Sequence, residues 1–259
     1  MFTDIHCHLN DKAFDGIVEQ TVREAEKAGT DLIVDSGFDS DSSLRAASHA
    51  ESFCGVYFSA GWQPQEISRW KDKDMDALAA LCRHEKCVAV GEIGLDYHYP
   101  DNPEKSFQKE IFIRELELAK ACRLPVVIHS RDCAEDMIRL LKENRDKLVC
   151  GVMHCYSHSA EMVKDFLDLG FYLSFGGTAT YTGSKKVMKS VAATPVDRIL
   201  SETDSPYLTP EPHKGSFPNA PKYIPVVVER LAQIKGLPAE ELAWRIRENA
   251  KTLFAKLPR

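Results

Sequence analysis

The chain contains no run of about 18 apolar residues, so no membrane-spanning helix is expected. Nor does its beginning pair a basic region with an apolar stretch. Asp4, His6, Asn10, Asp11 and Lys12 break any such run, and a soluble, unsecreted, cytoplasmic protein is expected. Basic excess is lacking too: 33 Lys and Arg against 39 Asp and Glu leave a formal net charge of -6. This excludes a broad basic surface that coats nucleic acid, though not an enzyme that grips a few phosphates locally. Loops of the GxGxxG and GxxxxGK types are missing, which disfavours dinucleotide redox chemistry and P-loop group transfer. Cysteine occurs eight times but never as CxxC, and several thiols sit in apolar runs such as LVCGVMHC. Reduced thiols serving as small hydrophobes fit this pattern better than a disulfide framework. Cys7 and Cys155 flank histidines, which leaves thiolate ligation of a metal open.

What is present is a repeating alternation. At 259 residues and 44% hydrophobic, the chain can bury a substantial core. Short apolar runs recur roughly every 30 residues, the scale of a strand plus its crossover helix. They are FTDIH, DLIVD, GVYFSA, CVAVGE, LPVVIH, LVCGVMH, FYLSF and DRILSE. Between them lie stretches of helical period, such as Phe107, Ile111, Leu116, Leu118, Ala119 and Cys122, or Met137, Ile138, Leu140 and Leu141. Gly29 and Gly170 close two of these helical stretches, and Pro125 sets the entry to the fifth strand. Eight strand–helix units without a linker predict a single (β/α)8 TIM barrel over residues 1–259, with a doubly wound open sheet as the alternative. The proline-rich segment after the eighth run, from Tyr207 to Pro225, reads as a long functional loop.

The segment TDIHCH at residues 3 to 8 raises the question of chemistry. Residues two apart on a strand share a face, so His6 and His8 can converge on one ion. By themselves they serve equally well as core histidines. Four other runs also end in a metal ligand: Glu92 in VAVGEIGLD, His129 in PVVIHSR, His154 in GVMHCYS and Asp204 in ILSETDSP. Each has a purely structural reading, as a strand-end histidine, a cap acceptor or an Asx-turn residue. In a barrel, however, all strand C-termini open on one face, and six ligands meet there. Four histidines and two carboxylates suit Zn, Mn, Fe, Ni or Co better than a lone Mg or Ca. Six ligands exceed the need of one catalytic ion, so two ions bridged by Glu92 are expected. Asp204 is the expected proton acceptor for an attacking water, which makes the chemistry hydrolysis.

The order TDIHCHLND, GEIGLDYH, PVVIHSRD, HCYS, FGGT, ETDSPYL and ENAKTLF resembles the TatD family of metal-dependent deoxyribonucleases, within the amidohydrolase-like barrel superfamily. The resemblance runs nearly from end to end. It implies divalent ions, two per chain, held by His6, His8, Glu92, His129, His154 and Asp204, with Zn, Mn, Mg, Ni and Co not distinguished. It also implies phosphodiester hydrolysis, commonly 3′→5′ exonuclease action on single-stranded DNA or RNA, with some members acting at abasic or damaged sites. Nucleic acid is then the partner, as substrate, and no obligate protein partner is evident. The chain departs from the family pattern at Gln63, where a histidine facing the phosphate is usual. Further departures are His158, where glycine is favoured, and Pro218, where an arginine usually precedes Asn219. Glutamine can donate a hydrogen bond but carries neither proton nor charge. This leaves a second reading, a metal-dependent hydrolase of a small amide, lactone or ring substrate on the same barrel, although no lysine stands at Glu92 to serve as a carbamylated bridge.

Other residues carry weaker expectations. Gln63, Arg131 and Tyr97 are candidate substrate contacts, Arg131 through its guanidinium fork and Tyr97, with Tyr99, through stacking on a base. Trp62, Lys214 and Asn219 are further candidates. Asp96 is expected to orient His6 or His8, and Asp4 and Glu202 are alternative supports. The run KDKD at 71–74 reads as a solvated helix start. Leu242, Ile246 and Leu253 read as the buried face of a last helix, with Asn249 structural.

Overall fold

Apolar runs buried on both faces must be covered on both faces, and that is how this chain uses them. The computed structural model describes residues 1–258. It has eight strands: β1 Phe2–Cys7, β2 Thr30–Ser36, β3 Val56–Ala60, β4 Cys87–Asp96, β5 Val126–Arg131, β6 Gly151–Met153, β7 Phe171–Phe175 and β8 Ile199–Ser201. Helices follow in the order α1 Val18–Lys27, α2 Ser40–Ser52, α3 Lys73–Cys82, α4 Lys105–Cys122, α5 Ala134–Glu143, α6 Val163–Asp168, α7 Lys185–Ala193, α8 Ile224–Lys235 and α9 Ala239–Leu253. All eight runs anticipated from the sequence are strands. They pair in parallel in the order β1 to β8.

The ring closes between its ends. Asp204 N–H donates to the His6 carbonyl at 3.0 Å, His8 N–H donates to the Ser205 carbonyl at 2.7 Å, and Ser201 Oγ donates to the Thr3 carbonyl at 2.8 Å. This makes the architecture a (β/α)8 barrel rather than the open sheet. Every residue of β4 is buried, inside the ring and beneath the helices alike. Outer helices contribute one apolar stripe each: Met137, Ile138, Leu140 and Leu141 on α5, and Leu242, Ile246 and Leu253 on α9. Each such side chain is worth about 1.5–3 kcal/mol when fully buried. Asn249 donates to the carbonyls of Val196 and Ile199, both at 2.9 Å, and ties α9 to the start of β8.

Three local devices hold the loops at the C-terminal rim. The capping box of α2, in which the Asp39 side chain accepts from Ser42 N–H and Ser42 Oγ from Asp39 N–H, anchors the turn after β2. Gly37 in that turn accepts from Glu92 N–H at 2.9 Å. Gly94 is the third: its φ is +140°, and a Cβ there would lie 2.1 Å from the His129 carbonyl oxygen, so only glycine lets β4 approach β5 at that level. The KDKD run is not wholly solvated. Asp74 is buried and accepts from Lys71 N–H at 2.7 Å. Among the described residues no helix is long and apolar enough to cross a membrane. All eight cysteines are free.

Candidate metal centre

The six sequence-predicted ligands meet at the C-terminal mouth of the barrel. Alternation along β1, continued into the residue just after it, turns His6 and His8 to the same side, whereas Cys7 faces outward with its thiol toward the Val34 carbonyl at 3.5 Å. His129 lies within β5, and His154 directly follows β6. Glu92 sits inside β4 rather than at its end, beside a register break between Val90 and Ile93. Asp204 lies beyond β8 with φ of +54°, a left-handed conformation that Asp adopts more readily than most residues.

Glu92 is the centre of the cluster. Its Oε2 lies 3.6 Å from His6 Nε2 and 3.5 Å from His8 Nε2, while its Oε1 lies 2.8 Å from His129 Nδ1 and 3.0 Å from His154 Nε2. One carboxylate thus faces two pairs of imidazoles. Asp204 Oδ1 stands 3.5 Å from both His6 Nε2 and His8 Nε2. His6, His8 and Asp204 bring ligand atoms within 4.8 Å of one another, as do His6, Glu92 and His154. Neither Cys7 nor Cys155 belongs to these groups.

Proton positions show that a cation fits. His8 Nδ1 faces the Ser36 carbonyl at 2.8 Å, an atom that only accepts, so Nδ1 bears the proton and Nε2 presents a lone pair. His129 Nε2 likewise faces Asp96 Oδ2 at 2.8 Å and is the donor, leaving the Nδ1 lone pair aimed at Glu92. His6 and His8 oppose their Nε2 atoms at 3.2 Å. With neutral imidazoles, lone pairs confront carboxylate oxygens, and only positive charge relieves this. The donor set therefore suits a divalent ion. Without one, the acids hold protons on the rings. Burial opposes charge on His8, yet Asp204 and Glu92 outweigh it and raise its pKa to about 9. Burial likewise disfavours charge on His129 and His154, and hydrogen bonds and attraction from Asp96, Glu92 and Glu202 raise both. For His6 burial wins, with His154 beside it, and its pKa is lowered. Burial disfavours the charged forms of Glu92 and Asp204, but the surrounding imidazoles hold both below the ordinary carboxylate range.

The supports differ from those anticipated. Asp96 orients His129, not His6 or His8, because β4 pairs with β5. His6 is held instead by Ser36, whose Oγ lies 3.0 Å from Nδ1, and His8 by the Ser36 carbonyl. Ser36 went unnoticed in the sequence, although it too terminates an apolar run. Asp4 accepts from Thr203 N–H at 2.9 Å and Thr203 Oγ1–H at 2.6 Å and braces β8. Glu202 accepts from Cys155 N–H at 2.6 Å and stands 3.6 Å from His154 Nδ1.

A cavity of about 830 Å3 opens over the cluster, within the roughly 300–1,000 Å3 usual for small-ligand sites. Gln63 and Arg131, two of the candidate substrate contacts, line it. Tyr97 does not. Alternation after the inward Asp96 turns it away, its hydroxyl donates to Asp136 at 2.9 Å, and Tyr99 takes the position at the mouth. Gln63 Oε1 accepts from Gln65 N–H at 3.0 Å, and Gln65 Nε2 donates to Asp96 Oδ2 at 3.0 Å. Trp62 is packed, with its indole N–H on Ser40 Oγ at 3.2 Å. Asn219 is fully buried and donates to the Thr203 and Tyr207 carbonyls, while Lys214 lies over the Tyr181 ring. Neither reaches the cavity lining.

Comparison with known proteins gives this geometry its family. The family described as TatD related DNase matches residues 3–255. The chain belongs to the TatD family. A relative from Bacillus subtilis, the uncharacterized metal-dependent hydrolase YabD, is 41% identical over 254 residues, 98% of this chain and 99% of that protein. The 3′-5′ ssDNA/RNA exonuclease TatD of Cronobacter turicensis is 32% identical over 257 residues, 98% of this chain and 97% of the relative. The crystal structure of YJJV, a TatD homolog from Escherichia coli, superposes with a TM-score of 0.93 at 31% identity, covering 99% of this chain and 98% of that one. As a TatD-family protein, the chain is a metal-dependent hydrolase.

Proposed function

We propose that this TatD-family hydrolase cleaves phosphodiester bonds, acting as a 3′→5′ exonuclease on single-stranded DNA or RNA from one catalytic domain spanning residues 1–259. The observation that carries the reading is Glu92, whose two oxygens each face a separate pair of imidazoles. That arrangement supports two divalent ions: His6, His8 and Asp204 would hold one, His129 and His154 the other, with Glu92 shared. Such ions supply Lewis acidity toward a phosphoryl oxygen and acidify water. The chain's own groups do the rest. Asp204, the ligand carboxylate most open to the cavity, accepts the proton of the attacking water. Arg131 meets a phosphate oxygen at the rim. Gln63 donates to another in place of the more usual histidine, orienting the ester without supplying charge or a proton. Such an activity would serve a cytoplasmic role in DNA repair.

An end-labelled single strand incubated with Zn, Mn, Mg, Co or Ni, in separate reactions, is expected to shorten one nucleotide at a time from its 3′ end. Absence of any ladder on both DNA and RNA across all five metals refutes the proposal.

A further inference from the structure

Eight large hydrophobic side chains are conspicuously exposed among the described residues, and only two of them, Tyr99 and Tyr207, line the cavity over the metal-ligand cluster. They are 48% and 52% exposed, so neither ring is used to fill the core. Tyr99 follows β4 and Tyr207 follows β8, which stand four strands apart and hence across the barrel from each other. The two aromatic side chains therefore enter the cavity lining from loops that follow opposite strands, and Glu92 and Asp204 belong to the same lining.

Each ring is positioned by its own contacts. Arg131 lies with its guanidinium carbon 5.0 Å from the Tyr99 ring centroid, and Nη1 donates to the Tyr99 hydroxyl at 3.3 Å. Arg131 makes no ion pair among the described residues, and it is the one lysine or arginine in the cavity lining. The neighbouring Asp132 is engaged with His98 Nδ1 at 2.7 Å. The Arg131 charge thus remains available beside an aromatic face. The Tyr207 hydroxyl reaches Asp11 Oδ2 at 3.4 Å, and its backbone carbonyl is held by Asn219 Nδ2 at 2.6 Å. Single exposed aromatics are common on protein surfaces, but two that line one cavity beside a ligand cluster, from loops four strands apart, call for a shared explanation.

We propose that Tyr99, with Arg131 against it, and Tyr207 are two base-stacking surfaces, one on each side of the scissile phosphate. They take the terminal and penultimate bases of the strand while the phosphodiester between them sits over Glu92 and Asp204. This rests on the nuclease reading and adds to it a reason for single-strand selectivity. Both rings need a base freed from its own stack, which a paired end does not offer, and the selectivity is tolerant of sequence because every base has a π-face. Cleavage then depends on a base at both positions, and each dependence belongs to one tyrosine.

The test pairs protein and substrate changes. A short labelled single strand is compared with versions lacking the base at the 3′-terminal or the penultimate nucleotide, using wild type, Tyr99→Ala, Tyr207→Ala and the two Tyr→Phe variants. Wild type is expected to lose about tenfold or more in kcat/KM for each missing base, the size of one lost base–aromatic stack. Tyr99→Ala should abolish the dependence at one position only, Tyr207→Ala at the other only, and both Phe variants should retain it. Circular dichroism melts establish that the variants fold. If wild type digests strands but ignores the missing bases, or if both alanine variants retain both dependences, the stacking inference is overturned and the nuclease reading stands. If wild type digests no strand at all, the nuclease reading falls first.

Discussion

Replacing Asp96 by asparagine changes one atom and should uncouple metal binding from folding. Asp96 Oδ2 accepts from His129 Nε2–H at 2.8 Å and Gln65 Nε2–H at 3.0 Å, while Oδ1 accepts from His98 N–H at 2.8 Å and Asn102 Nδ2–H at 2.9 Å. An asparagine has one carbonyl oxygen for these four donors. Keeping it on the His98 and Asn102 side avoids orphaning those donors, at about 1–3 kcal/mol for each unsatisfied group, and gives up the contact from the part-buried Gln65 amide, worth about 1 kcal/mol. The amide NH2 then faces His129, which can accept only with Nε2 bare and its proton on Nδ1. That proton lands against Glu92 Oε1 at 2.8 Å, a sound hydrogen bond, so the metal-free fold is retained. The lone pair that would bind a cation is lost. Removing such a partner of a ligand histidine typically costs 10–100-fold in metal affinity, about 1.4–2.8 kcal/mol. Chelator competition with Zn should show one class of site weakened by that factor and the other little changed. Thermal melts of the metal-free variant should stay within a few degrees of wild type, about 1 kcal/mol. Unaltered affinity at every site, or an equal loss of metal-free stability, would refute the tautomer argument.

Asp204→Asn should lower kcat by about a hundredfold or more, the usual worth of a positioned general base, with the far-ultraviolet spectrum unchanged; single-turnover cleavage of a labelled strand measures it. Ser36→Ala removes the Oγ contact to His6 but not the carbonyl contact to His8, so metal affinity should fall several-fold at the His6 side for about 1 kcal/mol of stability. Isothermal titration of the variant with Zn is the check. Glu115 is buried on α4 with only Trp62 N–H, at 2.7 Å, to satisfy it, and burial pushes its pKa well above the ordinary 4.5. A raised carboxyl binds its proton more tightly in the folded state, so its contribution is full below the unfolded pKa and is lost as pH rises toward the folded one. Glu115→Gln should therefore flatten the fall of melting temperature with rising pH and be the more stable protein at alkaline pH, by about 1 kcal/mol or more. A steeper fall in the glutamine variant would contradict this.

Much of the site was legible in the linear chain because its ligands obey a local rule. His6, His129 and His154 end apolar runs, and a barrel gathers the ends of its strands. Tyr97 shows where that rule stops. It was a fair candidate by its place after GEIGLD, but the alternation that points Asp96 inward sends Tyr97 toward α5, and the exposed Tyr99 occupies the rim. Gln65 was invisible for another reason. Its partner Asp96 is 31 residues away, and nothing in GWQPQE marks a side chain that reaches the next strand.

By itself the sequence pointed to the barrel, to six candidate ligands near its strand ends and to the inward face of the first strand, since period-two alternation and strand-end position are local properties of the chain. Only the tertiary structure decided which support serves which ligand. Ser36 belongs to His6 and His8 because β2 pairs with β1, and Asp96 belongs to His129 because β4 pairs with β5. It also decided that one carboxylate, Glu92, meets four imidazoles, because those contacts join three strands and the turn after β6, whose register against one another no single segment encodes.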